Sequence, residues 1–193
     1  MTDKGLCEVP NPSEVLLAGR PKKVSGNCAV CTIEGTRPII AEIQALVTPT
    51  AFPAPRRTTN GIDYNRMCLI IAVLEKRLGL KFYQNDVYSN VIGGLRVDEP
   101  ASDLATALAL ISSLTDKKIP DSLIAIGEIG LAGECRGVSH VEQRVREAAR
   151  LGFTDILLPT HNAQSCPAVD GITVHPVKNI YDILKFLKGE RKD

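Results

Sequence analysis

Hydrophobic positions recur along the chain at two periods, and these periods predict its helices and strands. Residues 62–78 repeat apolar side chains at the spacing of one helix face, and Gly79 is a helix-ending signal. Residues 102–115 are rich in Ala and Leu nearly all round, which predicts a buried helix. Two further helices are predicted over 140–152, with Val141, Val145 and Ala148 facing inward and Gly152 as C-cap, and over 179–189.

The segments between these helices carry the pattern of strands. Residues 24–34 and 38–48 predict two strands, and the short, Gly-containing connection between them predicts a hairpin. Further strands are predicted in 86–97 (interrupted by Gly93-Gly94), 122–137 (two short strands), 155–159 and 171–177, with a loop over 162–171. Strands that pair by a hairpin and also alternate with helices favour a mixed α/β (α+β) domain.

Two segments lack a regular pattern. Residues 1–23 are rich in Pro, Lys and Glu and are interpreted as a linker arm, with one helical turn N-capped by Ser13. The domain itself is assigned to residues 24–193. Residues 49–61 form a Pro-rich loop that cannot be a helix or a central strand.

Composition and charge narrow the classes of function. The chain has 193 residues, of which 44% are hydrophobic and 23% charged, and its formal net charge is +1. A nucleic-acid surface must therefore be a local basic patch, because the whole chain produces no long-range positive field. No apolar run reaches the roughly 18 residues of a membrane span, and the first residues lack a signal-peptide core. We expect a cytoplasmic protein, without membrane contact, whose six cysteines are free thiols.

Candidate metal and nucleotide sites are weak in this sequence. Cys28 and Cys31 form a CxxC motif, but they lie in a predicted strand, where positions three apart point to opposite faces. They therefore cannot share a metal ion, and we predict no metal site. The histidines at 140, 161 and 175 match no zinc-binding spacing, and the chain contains no phosphate-binding P-loop motif.

The adjacent Arg56 and Arg57 are the strongest candidates for contact with an anion. They lie in the Pro-stiffened loop, where arginines suit phosphate contacts. An ion pair with a neighbouring subunit is an equal alternative, and a solvated loop is a third.

Several long stretches of the chain resemble one protein family. They are IEGTRPIIAEIQALV, PRRTTNGIDYNRM, VIGGLRVDEPASDLATALALISSL, IAIGEIGLAGECRGV and HVEQRVREAARLGF, and together they cover nearly the whole chain. The chain resembles the C-terminal part of the bacterial RadA (Sms) family of DNA repair and recombination proteins. The resemblance implies a fold like the proteolytic domain of Lon protease. It also implies that a zinc finger and a RecA-like ATPase, with their Zn, ATP and Mg, belong to other domains, and that this chain needs no cofactor.

The same resemblance bears on catalysis. Lon-type peptidases use a Ser–Lys dyad, with the serine in a loop similar to DGPSAG and the lysine in a pattern similar to GGxKEK. Aligned on Pro100, the serine position holds Ala101, and Ser102 follows it, rotated by about 100° around the helix. The lysine position falls at or near Arg144, whose guanidinium is a poor general base. Ser102 is therefore interpreted as a helix N-cap, with Asp103 favouring the positive helix end.

These observations lead to one hypothesis and two rivals. We expect a proteolytically inactive domain of a DNA-dependent ATPase/helicase of branch migration, which assembles a ring, expected to be a hexamer, and contacts single-stranded or branched DNA through phosphates. Expected partners are other copies of the chain, DNA and recombination proteins such as the RecA recombinase. The expected DNA contacts are Arg56, Arg57, Arg66, Arg96 and Arg144. The rivals are an oligomerisation scaffold without DNA contact, and a peptidase that uses Ser102.

Overall fold

A β-sheet with helices on both faces forms the centre of the computed structural model, which describes residues 12–189. Its strands are β1 (Asn27–Glu34), β2 (Arg37–Pro49), β3 (Arg57–Asn60), β4 (Asn85–Val91), β5 (Leu123–Ala125), β6 (Glu128–Ile129), β7 (Cys135–Arg136), β8 (Asp155–Pro159) and β9 (Thr173–Val177). Its α-helices are α1 (Pro12–Leu17), α2 (Tyr64–Leu78), α3 (Asp103–Thr115), α4 (Val141–Arg150), α5 (Thr160–Ser165) and α6 (Ile180–Lys188).

The main sheet of the described residues contains seven strands in the order β3-β4-β2-β1-β5-β8-β9. β2 pairs antiparallel with β1 and with β4, whereas the other neighbours in the sheet run parallel. β6 and β7 form a separate hairpin. This mixed sheet confirms the predicted mixed α/β class, and the pairing of Glu34 with Arg37 confirms the predicted hairpin.

Alternation along β1 and β2 divides the core into two clusters. On one face of the sheet, Cys28 and Val30 pack in a cluster with side chains of α2, α3 and α6. On the other face, Cys31 and Ile40 pack with side chains of α4. Cys28 and Cys31 therefore lie on opposite faces of the sheet, as the strand period predicts, and both are fully buried.

The second layer of helices covers only part of the sheet. α4 packs against β1 and β2, α5 packs against β8 and β9, and α1 packs against β2. The outward side of β4, β3 and the second half of β2 lies beyond these helices, and Leu46 of β2 is 60% exposed there. Among residues 12–189, no helix covers this side of β4, β3 and the second half of β2, which is the open part of the sheet.

Several predicted local structures are wrong. Ser13 lies inside α1 and does not cap it, and its buried Oγ instead accepts a hydrogen bond from the Ile40 N–H at 2.9 Å. Residues 57–60 of the predicted loop form β3, which is possible because it is an edge strand that follows Pro53 and Pro55.

Three further boundaries differ from the prediction. Part of the predicted loop 162–171 belongs to the short helix α5. The stretch 122–137 contains three short strands rather than two. The C-cap of α4 is Leu151, and Gly152 follows it in the left-handed region with φ 83°.

The other predicted helices agree with the structure. α2 ends at the predicted Gly79, which has φ 68°. Among residues 12–189, no helix is long and apolar enough to cross a membrane. The first half of the predicted arm, residues 1–11, lies outside the described residues.

A buried ion pair at the candidate functional site

The segment before α3 holds the first of the two positions aligned with a catalytic dyad. A 3-10 turn over Pro100–Ser102 leads directly into the helix. Ala101 is buried in this turn, and its carbonyl accepts a hydrogen bond from the Gly127 N–H at 2.9 Å. The backbone of the loop is therefore fastened to the end of β5, and a methyl group stands at the aligned serine position.

Ser102 does not have the role that the sequence suggested. It has helical φ and ψ values, and its side chain makes no capping hydrogen bond. Its Oγ donates to the Glu99 carbonyl at 2.8 Å instead. The N-cap prediction is wrong because the turn preceding α3 is already helical and directs the hydroxyl backwards.

Arg144, at or near which the second aligned position falls, is 1% exposed. It lies on the buried face of α4, three residues after Val141 and next to Val145. Its Nη1 and Nη2 donate to the two carboxylate oxygens of Glu99, each at 2.7 Å. Nη1 also donates to the Cys31 carbonyl at 2.5 Å, and Nε donates to the Ser139 carbonyl at 3.0 Å.

Glu99 completes this ion pair from the loop before α3. Burial would raise the pKa of its carboxyl group, but the hydrogen bonds and charge of Arg144 lower it below its ordinary value. Hydrogen bonds from Thr32 and from the Ile33 N–H act in the same direction. The Glu99 carboxylate is thus charged at neutral pH, and the ion pair ties α4, β1 and the loop before α3 together.

This arrangement contains neither half of the aligned dyad. A methyl group cannot act as a nucleophile, and a guanidinium that stays protonated cannot act as a general base. The hydroxyl of Ser102 donates to a backbone carbonyl, which cannot accept its proton during catalysis. The hydrogen bonds that Ser102 and Arg144 make in the structure hold segments of the fold together.

A second ion pair fixes the start of α3. Asp103 is fully buried, and both of its carboxylate oxygens accept hydrogen bonds from the Arg66 guanidinium. Oδ2 of Asp103 also accepts from the Ile129 N–H at 2.9 Å. Arg66 belongs to this network and also donates to the Ile129 carbonyl, so it is poorly placed to bind a phosphate.

Of the five arginines predicted to contact DNA, Arg57, Arg66 and Arg144 are held by contacts within the domain. The other two present their guanidinium groups to solvent. Arg144 as a DNA contact is wrong, because its guanidinium is buried and paired with Glu99. Arg57 donates to the carbonyls of Phe82 (2.9 Å), Asn85 (2.6 Å) and Arg56 (3.0 Å), so it fastens β3 to the turn before β4.

Arg56 and Arg96 are the two that present a guanidinium to the outside. The guanidinium carbon of Arg56 lies 3.7 Å from the centre of the Phe52 ring, and both residues are exposed. The side chain of Arg96 is 78% exposed and forms a loose pair with Asp98 at 3.2 Å. Arg96 borders a shallow cavity of about 230 Å³ beside the end of β3.

Sequence reasoning missed the partner of Arg144. The helical spacing of positions 141, 144, 145 and 148 places Arg144 on the apolar face of α4, and that spacing is visible in the sequence. A cation on such a face needs a buried anion. The identity of that anion depends on a contact 45 residues away in the chain, which no local pattern contains.

The chain is similar to a family of proteolytic domains. The profile of the Lon protease (S16) C-terminal proteolytic domain matches residues 73–188, and the chain belongs to that family. The predicted Lon-like fold is thereby confirmed.

Two individual proteins that are similar to almost the whole chain carry the same name. The chain is 46% identical over 189 residues to DNA repair protein RadA of Bacillus subtilis, which covers 98% of this chain and 41% of the relative. DNA repair protein RadA of Streptococcus pneumoniae is 49% identical over 185 residues, covering 96% of this chain and 44% of the relative. The resemblance predicted from the sequence is confirmed, and the chain spans less than half the length of these relatives.

Proposed function

We propose that this chain is the proteolytically inactive, Lon-like C-terminal domain of a RadA-type DNA recombination and repair protein. In this role it supports assembly of a ring, expected to be a hexamer, and contacts the DNA backbone. The longer protein is proposed to act in the cytoplasm as a DNA-dependent ATPase that drives branch migration beside the RecA recombinase. Its ATP, Mg and Zn sites are assigned to other domains.

The observation that carries the proposal is the ion pair between Arg144 and Glu99. A protease needs a free base near its nucleophile, whereas here the aligned base position holds a cation whose donors are already bonded. Restoring a nucleophile alone would not supply a base.

Peptidase activity is tested directly with fluorescently labelled casein. We expect this chain and its Ser102→Ala variant to release the label at the same background rate, while a Lon protease with an intact dyad, measured in parallel, digests the substrate. Turnover by the wild-type chain that Ser102→Ala abolishes would establish the rival peptidase and refute the inactive domain.

Contact with DNA is proposed for Arg56 and Arg96, because both are exposed and lie near the two ends of β3. Phosphate contacts of this kind are independent of base sequence and weaken with salt. Fluorescence anisotropy with a labelled single strand is expected to show weaker binding for Arg56→Ala with Arg96→Ala. The slope of log affinity against log salt should fall by roughly one unit per lost contact.

A matched control separates this contact from a general loss of charge. Arg146→Ala with Arg150→Ala removes two exposed arginines of α4, whose side chains are 62% and 51% exposed. If this control and the Arg56/Arg96 double variant weaken binding equally, or if neither changes it, then Arg56 and Arg96 are not the DNA contacts.

The second candidate function is a pure oligomerisation scaffold, which is favoured by the net charge of only +1. Light scattering on the wild-type chain, with and without a single strand at low salt, distinguishes the two. A ring that takes up no DNA would support the scaffold, and a ring that takes up DNA would support the proposal.

A further inference from the structure

The open part of the sheet carries an unusual row of carboxamides. Asn27 of β1 is paired in register with Gln44 of β2, Gln44 with Asn90 of β4, and Asn90 with Asn60 of β3. Four amide side chains therefore stand side by side across four strands. The strand period directs all four away from the α2–α3 side of the sheet.

A second row lies next to the amides. Leu46 of β2 is in register with Tyr88 of β4, and Tyr88 with Thr58 of β3. Leu46 is 60% exposed, and a shallow cavity of about 370 Å³ lies between this part of the sheet and the arm at Pro21 and Val24. We call these seven side chains, Asn27, Gln44, Asn60, Asn90, Leu46, Tyr88 and Thr58, the amide face.

The amide face contains no charged residue, although 23% of the chain is charged. The flanking carboxylates on its strands are Glu42 and Asp86, and both are buried. Glu42 is paired with Arg20 at 2.6 Å, and Asp86 accepts a hydrogen bond from the Arg56 N–H at 2.7 Å. Arg56, two positions before Thr58, lies on the same side of β3 at the edge of the face and is not one of its seven side chains.

The hydrogen bonds of the four carboxamides leave some of their donors and acceptors available to a partner. The Asn60 amide donates to the Asn90 carbonyl oxygen at 2.8 Å, and the Gln44 amide donates to Glu42 at 2.7 Å. Each carboxamide offers two N–H donors and an oxygen with two lone pairs. A row of such groups can both donate to and accept from an identical row.

We propose that the amide face binds the amide face of a second copy of this chain, in a two-fold symmetric dimer. In such a contact each patch meets itself, so a charged residue near the axis would face its own like charge. An uncharged row of carboxamides beside Leu46 and Tyr88 satisfies that condition. Two sheets can pack face to face in this way, and interface cores are depleted in charge and enriched in Tyr.

This dimer is separate from the proposed ring, because a two-fold contact pairs copies and does not close a ring of six. It would join two single chains, or two rings. Lys22 and Lys23 lie in the chain between Pro21 and Val24, which line the cavity, and Arg56 lies at the edge of the face, so a nucleic acid is the competing occupant.

The experiment is light scattering on the wild-type chain and on Leu46→Lys over a range of concentrations. The wild type is expected to show an even number of copies. Leu46→Lys is expected to lower the affinity of the dimer contact about a hundredfold and so to halve the mass, because the two new cations repel each other across the axis. Leu131→Lys is the control, since Leu131 is 68% exposed but lies in the connection between β6 and β7. Circular dichroism verifies that each variant is folded.

A mixture of Leu46→Lys and Leu46→Glu is expected to restore the doubled mass, because the two faces then carry opposite charges. A wild-type mass that Leu46→Lys leaves unchanged, including that of a ring or of a single chain, overturns the dimer and leaves the proposed ring to its own test. A Tyr88→Ala variant of unchanged mass that loses affinity for oligothymidylate would assign the face to nucleic acid. A dimer that Leu46→Lys splits supports the amide face even if no ring forms.

Discussion

Removing the charge of Glu99 is expected to destabilise the domain strongly. Glu99→Gln keeps the shape of the side chain but leaves the Arg144 guanidinium, which is 1% exposed, without a counter-ion. Gln can still accept one of the two bonds through Oε1, as a neutral bond, but its amide nitrogen cannot accept the other. Bonds to a charged group contribute about 1.5–3 kcal/mol each. The Glu99 side chain is 27% exposed, so water replaces part of the interaction, and we expect a loss of about 3 kcal/mol.

Urea unfolding at pH 7, followed by circular dichroism, measures this loss. The matched control is Glu142→Gln, which removes a carboxylate from the exposed pair with Arg146 on α4. An exposed pair of this kind contributes less than about 0.5 kcal/mol. If both variants lose the same free energy of unfolding, or if Glu99→Gln loses less than about 1 kcal/mol, the buried pair does not have the role assigned to it.

A double-variant cycle tests the coupling itself. Arg144→Met removes the cation and leaves Glu99 unpaired, whereas the combination of Arg144→Met with Glu99→Gln leaves no buried charge. The double variant is therefore expected to lose less free energy than the sum of the single variants, by about 2 kcal/mol. Additive losses would show that the two side chains stabilise the fold independently.

Further predictions concern a glycine, an acid and two thiols. Gly26→Ala is expected to destabilise more than Gly152→Ala in thermal melts; both glycines have positive φ, but a Cβ at Gly26 would lie 2.3 Å from the Ala45 carbonyl oxygen, whereas one at Gly152 meets nothing within 4 Å. Equal losses of melting temperature would mean that the positive φ alone, and not the close contact at Gly26, sets the cost of the added Cβ. For Asp155, burial raises the pKa, but hydrogen bonds from His175, Thr154 and Ser122 lower it below its ordinary value of 3.8. Its contribution is therefore fully present above pH 3.8 and lost as the pH falls, so Asp155→Asn should flatten acid unfolding, and an unchanged profile would contradict this. Cys28 and Cys31 should resist iodoacetamide in the folded protein at pH 8, because burial raises the pKa of each thiol to about 12; mass spectrometry showing rapid labelling of either would contradict their burial.

The sequence by itself determined the four longest helices, the main strands and the placement of the two cysteines of the CxxC motif. Periodicity is a local property, so α2 and α3, the β1–β2 hairpin and the opposite placement of Cys28 and Cys31 all follow from the order of residues. The identities of Ala101 and Arg144 are equally local. Resemblance to the family was needed only to recognise that these positions correspond to a catalytic dyad.

Only the tertiary structure decided what the polar residues do. Arg144 pairs with Glu99, Arg66 pairs with Asp103, and the Ser13 hydroxyl accepts a hydrogen bond from the Ile40 N–H. Each of these contacts joins residues at least 27 positions apart in the chain. The amide row likewise depends on four strands lying in register. A buried charge or donor takes whichever partner the packed chain brings within reach, and that choice follows from burial and distance, which no local pattern of residues specifies.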